Sequence, residues 1–239
     1  MRAIIITILL LIYQPLKAYD IVFSANEKLV EQNVAQYIIE DIYKSIGLNL
    51  KVFPMPPKRA MLSNLNRSVD GEIARITPYG DDKPSLIRIE PSYYHLDSAA
   101  YCLKTSKINI TKREDLEMFR VARIRGVAHS NHATVNVKNV VDLNGATHMF
   151  EFLLRKRADV VIDTEINGRR LLEQDKFKHK IKLCGVFKRY ELFSYINENK
   201  KDILEKVSKK IGLLKNTGKL KYMIQKAERK ALLMPSKKY

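Results

Sequence analysis

An α/β fold, with a mainly parallel sheet covered by helices on both faces, is predicted by three features of the sequence. Apolar runs of strand length alternate with segments whose apolar residues recur at helical spacing. In that order, crossover helices cover both faces of a sheet. No segment repeats at a fixed period, and no Gly/Ser-rich stretch marks a flexible linker. The 239 residues are 46% hydrophobic and 8% aromatic, which suits one large globular domain or two small ones and excludes a disordered or fibrous chain.

The first segment stands outside that fold. Met1 and Arg2 give a positive start, Ala3–Tyr13 is apolar, and Gln14 to Ala18 is polar and helix-breaking with a small residue at its end. This is the three-part pattern of a secretory signal, with cleavage expected after Ala18. Its apolar run is too short for a bilayer, which takes about 20 residues. The mature chain is therefore expected to be exported.

Asp20–Ala25 then reads as a buried strand. Leu29, Val34, Ile38, Ile42 and Ile46 fall at helical spacing, with Gly47 where a helix ends. Leu48, Leu50 and Val52 alternate with Asn49 and Lys51, a strand period. The prolines from Pro54 to Pro57 break the chain, and Pro57 opens a short helix through Leu65. Asp70–Ile76, Leu86–Glu90 and Asp97–Lys104 read as further strands. Thr111 and Glu114 have capping-box spacing, opening a helix toward Phe119. Strand Arg120–Arg125, a turn at Gly126, helix Ala146–Arg157, strand Ala158–Asp163 and helix Ile166–Glu173 follow. Strands over Ile181–Phe187 and Glu191–Ile196 precede two amphipathic helices, Asn199–Lys215 and Thr217–Leu232, which are broken at Asn216 to Gly218.

Lys and Arg number 43 against 26 acids, a net charge of +17. Such a surplus suits nucleic acid, an anionic surface or an acidic ligand. From Asn197 onward there are 13 cations and 4 acids, so more than half of the surplus sits in that terminal stretch. The solvated outer faces of amphipathic helices account for such a run, and a membrane or partner surface is the functional alternative. An exported chain argues against nucleic acid as a partner. Cys102 and Cys184 make neither a disulfide framework nor a Cys-rich metal site, and whether they pair is open at this stage. His129 and His132 are three apart without a third ligand at metal-site spacing. No nucleophile elbow, phosphate loop or Cys/His signature is present. No catalytic residue, metal or cofactor is therefore assigned.

The ordered set of pieces resembles the type II periplasmic solute-binding proteins, in the family of polar amino acid receptors of ABC transporters. The pieces are Pro-Pro-Lys-Arg-Ala at 56–60, Asp-Gly-Glu-Ile-Ala-Arg at 70–75, and Leu-Ile-Arg-Ile-Glu-Pro at 86–91 with Tyr93 and Tyr94. Asp115-Leu116 then precedes Val-Ala-Arg-Ile-Arg-Gly at 121–126, Arg-Ala-Asp-Val-Val-Ile-Asp occupies 157–163, and the Lys-rich tail breaks at Thr217 to Lys219. The resemblance runs from Asp20 to Leu232. It implies lobe 1 from 19–103 plus 192–239 and lobe 2 from 104–191, joined by crossover strands whose polar breaks are placed at Lys104–Thr111 and Phe187–Tyr190. It further implies a periplasmic monomer that closes on a small polar solute in the cleft and serves an ABC permease or a membrane sensor.

Candidate ligand residues follow from the same alignment. Arg75 ends a strand beside Asp70 and Glu72 and can grip a carboxylate with two hydrogen bonds; its alternative is an Arg satisfied by those acids. Period-two alternation puts Glu72 on the face of Asp70 and Arg75 opposite, unless the strand ends before Arg75. Arg59 lies in the first turn of the helix opened by Pro57. Arg125 and Gly126 end a lobe 2 strand, and Ser130 is the nearest hydroxyl after that turn. Asp163 and Glu165 flank Thr164, which falls where amino acid receptors place an acid for the ligand's amine. The Arg that follows the Asp-rich strand in those receptors is replaced by Gly80 to Lys83. Tyr79, Tyr93 and Tyr94 are the aromatic candidates, Tyr94 foremost. An enzyme of the periplasmic dehydratase type, using Glu72, Asp163 or Glu165 as acid or base, is the alternative on this fold, and a basic polyanion- or membrane-surface binder is the second.

Overall fold

A computed structural model describes residues 20–233. The expected signal segment and its cleavage point lie outside the described residues. In chain order the elements are β1 (Asp20–Asn26), α1 (Val30–Lys44), β2 (Asn49–Met55), α2 (Pro57–Leu65), β3 (Gly71–Ile76), β4 (Leu86–Arg88), β5 (Tyr94–Leu103) and β6 (Val121–Ile124). They continue with α3 (Ala128–Ala133), β7 (Val140–Leu143), α4 (Ala146–Leu154), β8 (Val160–Thr164), α5 (Glu165–Leu172), α6 (Asp175–Lys178), β9 (Ile181–Asn197), α7 (Leu204–Asn216) and α8 (Lys219–Leu233). Among the described residues, no helix is long and apolar enough to cross a membrane.

The strands form one sheet in the order β2-β1-β3-β9-β5-β8-β6-β7, with β4 also on β9. The expectation of a mainly parallel sheet is corrected: β1–β2, β1–β3, β6–β7 and β6–β8 are parallel, but β3–β9, β4–β9, β5–β8 and β5–β9 are antiparallel. The reason is β9. The polar stretch Phe187–Tyr190, read as a break, lies within one 17-residue strand that pairs with β5 from Ile181 to Leu192 and continues onto β3 and β4. Lys104–Thr111 is likewise no crossover. It is a loop tied to β9 by Lys104 N–H on the Lys180 carbonyl and Ile110 N–H on that of Cys184.

Strand β2 runs through Pro54, where a break is expected. It lies at the edge of the sheet, where the missing N–H leaves no ladder bond unmade. The capping expectation at Thr111 and Glu114 shifts by one residue. Asp115 Oδ2 takes the Thr111 and Lys112 N–H groups and the Thr111 hydroxyl, opening a 3₁₀ turn, Arg113–Met118, rather than an α-helix. Helices α3 and α6 and strand β7 are too short to leave a periodic signal.

Apolar residues collect on either side of β5 and β9. One core joins Ile21 and Phe23 of β1, Val34, Ile38 and Ile42 of α1, Ile73, Ile196, and Val207, Ile211 and Leu220 of the terminal helices. The other half of the sheet is covered on both faces. Tyr101, Phe150, Val161 and Phe177 pack on one side, and Ile110, Leu116, Val121, Val160 and Ile162 on the other. Tyr94, the foremost aromatic candidate, belongs to the first core, and its hydroxyl donates to Glu228 Oε1 of α8 at 3.3 Å.

Cys102 of β5 and Cys184 of β9 form a disulfide, with their Cα atoms 5.9 Å apart and a sequence separation of 82. Closing so long a loop in the unfolded chain is worth about 4 kcal/mol by chain entropy alone. The double variant C102A/C184A is expected to lose about 2–4 kcal/mol in urea unfolding. Reductant should lower the wild-type midpoint and leave the variant's unchanged; a wild-type midpoint insensitive to reductant under unfolding conditions would count against the bridge.

Candidate functional site

Between the two apolar regions lies a cavity of about 120 Å3, several times the space one water takes. Its walls come from Asn26, Leu29, Glu31 and Gln32 on the β1–α1 side, Ala74 to Ile76, Pro78 and Tyr79 at and after the end of β3, and Val127 to His129 and His132 on the far side. Leu96 of β5 and Leu192 of β9 line it where those strands pass from one core to the other. The ends of strands in an open α/β sheet are the usual place for a ligand site.

The floor is set by an irregularity in β3. Ala74 has φ +51°, and the pairing with β9 shifts register between Glu72 and Arg75. This bulge overturns the alternation expectation, because Arg75 turns to the same side as Glu72 and pairs with it. The guanidinium also donates to Asn26 Oδ1 at 2.8 Å and lies over the Tyr79 ring, 4.6 Å from its centroid. Arg75 Nε is buried without a partner. Glu72, fully buried, further accepts from the Tyr79 hydroxyl and from Asn64 Nδ2 at 3.2 Å, and Asn64 also donates to Ser24 Oγ at 2.7 Å. Gln32 closes the wall: its Nε2 donates to the Ala74 carbonyl at 2.9 Å, and its Oε1 accepts Asn26 N–H at 3.1 Å. Burial and the Glu72 carboxylate push the Tyr79 phenol far up, so it remains a donor.

A second network reaches the cavity from behind Glu31, in the first turn of α1. Thr164 Oγ1 donates to Glu31 Oε2 at 3.3 Å, joining α1 to the end of β8. Beside it Asp163 accepts from Thr164 N–H at 2.8 Å and from Asn167 Nδ2 at 2.6 Å, while Arg170 donates to Asn167 Oδ1 at 3.0 Å. Burial pushes the Glu31 carboxyl up. Burial and the nearby Glu31 push Asp163 up to about 7. Across the cavity His129 is buried, its Nδ1 2.9 Å from Ser98 Oγ, and burial pushes it down to about 4, so the imidazole is neutral near neutral pH.

Of the residues singled out from sequence, Arg75 lines the cavity together with the candidate aromatic Tyr79. Glu72 sits beneath it as the partner of Arg75. Asp163 and Thr164 lie behind Glu31 and reach the cavity only through it. Ser130 spends its hydroxyl on the Val127 carbonyl within its own turn. Gly126, with φ +76°, makes the bend that sends Val127 to His129 into the wall but does not line it, and Arg125 is exposed. Arg59 points to solvent from α2, and Tyr94 is in the core. Missed were Asn26, Glu31 and Gln32, while His129 and His132, weighed in the sequence only as a metal pair, were not read as cavity residues. The buried Glu31 and Gln32 interrupt the apolar start of α1, which is the only trace they leave in the sequence. Among the described residues, no three His, Cys, Asp or Glu side chains are grouped to hold a metal ion.

No protein-family model and no curated protein matches this chain. Solved structures do. An amino acid ABC transporter substrate-binding protein, AbpA from Streptococcus pneumoniae, bound to L-arginine, is 16% identical with a TM-score of 0.68, covering 90% of this chain and 97% of that one. A mutant of ArgBP from T. maritima is 18% identical with a TM-score of 0.66, covering 87% and 94%. A histidine kinase sensor domain with similarity to periplasmic binding proteins is 13% identical with a TM-score of 0.71, covering 87% and 95%. The chain thus has the fold of the type II periplasmic binding proteins.

The two shifted groups give opposite pH signatures. Asp163 takes its proton at about 7 in the fold but near about 4 when unfolded. The native state therefore holds the extra proton between these values, and this contribution to stability falls as pH rises through the window. For His129 the unfolded chain binds a proton below about 6.5 while the fold resists until about 4, so its contribution is lost as pH falls. In urea unfolding, Asp163→Asn should gain on the wild type as pH rises from about 5 to 8, and His129→Gln should gain on it as pH falls from about 7 to 4.5. A difference flat with pH for either variant would mean that group does not titrate as its burial requires.

Proposed function

We propose that this protein captures a small polar solute bearing a carboxylate, such as an amino acid, in the cavity between two lobes that close around it. Among the described residues, one lobe takes residues 20–98 plus 192–233 and the other residues 99–191, because Ala99 and Tyr101 of β5 pack in the second region. The observation that carries the reading is the cavity itself, which places Arg75 and Glu31 on one wall and His129 and His132 on the other, with β5 and β9 running between. Ligand held by both walls favours the closed form by the difference in contacts.

Arg75 is the anchor for a carboxylate. Its guanidinium is held by Glu72, Asn26 and Tyr79, yet Nε has no partner and the side chain faces the cavity. Glu31 is the acceptor for an ammonium or hydroxyl, replacing the acid that amino acid receptors place on the other lobe, where this chain has Thr164. His129, neutral, offers a hydrogen bond without charge.

Binding and closure, with no bond broken, is the chemistry that fits. Glu72, the first choice for a cleft acid or base, has its oxygens engaged by Arg75, Tyr79 and Asn64. Asp163 and Glu165 do not line the cavity. The mature protein is placed in the periplasm by its signal segment and works as a monomer. The fold serves both transporter receptors and sensor domains, and an ABC permease or a membrane sensor would read the closed form.

A thermal-shift panel of amino acids, polyamines, dicarboxylates and short peptides tests this reading. One coherent class of carboxylate-bearing hits should stabilise the protein, by about 2.7 kcal/mol at a hundred times Kd. Arg75→Met should abolish the shift for every hit, whereas Glu31→Gln should weaken only those with an amine. A blank panel, or hits that survive Arg75→Met unchanged, would overturn it.

A further inference from the structure

Helices α7 and α8 carry nine cations and two acids between Leu204 and Leu233. Among the described residues, the ion pair on these helices is Lys209 with Glu205, and the other acid, Glu228, is taken by the Tyr94 hydroxyl. Lys206, Lys210, Lys219, Lys221, Lys226 and Arg229 have no acid partner there.

Their arrangement is ordered. At 100° per residue, Lys219, Tyr222, Lys226, Arg229 and Leu233 fall within an arc of about 80° on α8. The opposite side of the helix, through Leu220, Ala227 and Ala231, is buried in the core. Lys206, Lys209 and Leu213 make a similar stripe on α7, opposite the side buried through Val207, Ile211 and Leu214. Each stripe carries apolar groups among its cations: Leu213 is 57%, Tyr222 67% and Leu233 85% exposed. Thr217 and Gly218, the latter with φ +72°, join the two helices by a tight turn.

We infer that the outward faces of α7 and α8 dock on an anionic phospholipid surface. Nine cations would be enough for any polyanion. The apolar members distinguish the lipid, because a bilayer interface takes leucine and tyrosine side chains at the same depth at which its headgroup phosphates meet lysine and arginine. A phosphate ladder or an acidic protein face offers Leu213 and Leu233 no such place. The stripes are integral to a helix pair whose other sides are fixed in the first core, so docking needs no unfolding. The surface is separate from the solute cavity, and its failure would leave the solute reading untouched.

The test is flotation of the purified chain with vesicles of phosphatidylcholine alone or with about 30% phosphatidylglycerol, at about 50 mM and 500 mM salt. Binding should require phosphatidylglycerol and weaken more than tenfold at the higher salt. The triple variant K219Q/K226Q/R229Q should bind at least tenfold more weakly, and Tyr222→Ser with Leu233→Ser should weaken binding several-fold while keeping its salt dependence. All five positions are exposed, so circular dichroism and the melting temperature should match wild type. Equal binding to both vesicles, none to either, or a triple variant that binds as wild type would each overturn the inference. Capture on heparin or polyglutamate with the vesicle arm blank would do so too, and would assign the face to a polyanionic macromolecule.

Discussion

In a regular strand, residues three apart point to opposite faces, and Glu72 and Arg75 would never meet. They meet because the chain leaves strand geometry at Ala74, an L-residue in the left-handed region, a conformation that costs about 1–2 kcal/mol. The fold tolerates this because the alternative is worse. Glu72 is fully buried between β3, α2 and the turn after β3, and a buried carboxylate stripped of its partner costs about 3–5 kcal/mol. With Arg75 turned inward the carboxylate is neutralised and the Tyr79 ring gains a cation on its face. The bulged carbonyl of Ala74 becomes the acceptor that fixes Gln32. The helix start, the strand end and the following turn are thereby locked into one wall, and the cavity floor exists only while that ion pair does.

The other wall hangs on β5 and β9. These strands pair over their full common length, yet the ladder slips twice, between Ser98 and Ala99 and between Ala100 and Tyr101. Bulges loosen and twist a ribbon locally. Next to the first slip, Arg189 and Asp97 form a two-pronged pair across the strands at 2.7 Å, which ties the two strands there. The Cys102–Cys184 bridge lies beyond the slips, within the second region of packing. Glu31 and Thr164 tie the two halves of the sheet together off the ribbon.

Local regularity made most of the fold legible. The apolar spacing of α1, the proline that opens α2, and the Val160–Ile162 run each answer to one local rule. Long-range pairing escaped it. The stretch Phe187–Tyr190 is polar because it is largely exposed where β9 passes between cores, so it reads as a polar break at a crossover while being hydrogen-bonded strand throughout. The site was legible where chemistry and position coincide, at Arg75 and Tyr79. It was illegible where a polar residue is buried by tertiary packing alone, as with Glu31, Gln32 and His129. Tyr94 misled for the converse reason: an aromatic beside a crossover can face the core as readily as the cleft, and only its contact with Glu228 of α8 decides between them.

The electrostatics of the molecule divide along the same line. The chain carries a net charge of +17, and among the described residues α7 and α8 hold a dense run of cations on their outer faces. Within the cavity the positive charge of Arg75 is met by Glu72, His129 is neutral, and the further ionisable groups at or near the wall include His132, the Tyr79 phenol, and the carboxyls of Glu31 and Asp163 with Arg170 behind them. Screening over about 8–10 Å at physiological salt separates the exposed lysines from that interior, while groups inside it interact across a low-dielectric medium. The surplus of cations thus says little about what enters the cavity. On the proposed reading, a solute there would have to satisfy one guanidinium edge and one raised carboxyl at once, which is a matter of a few buried atoms rather than of the composition of the chain.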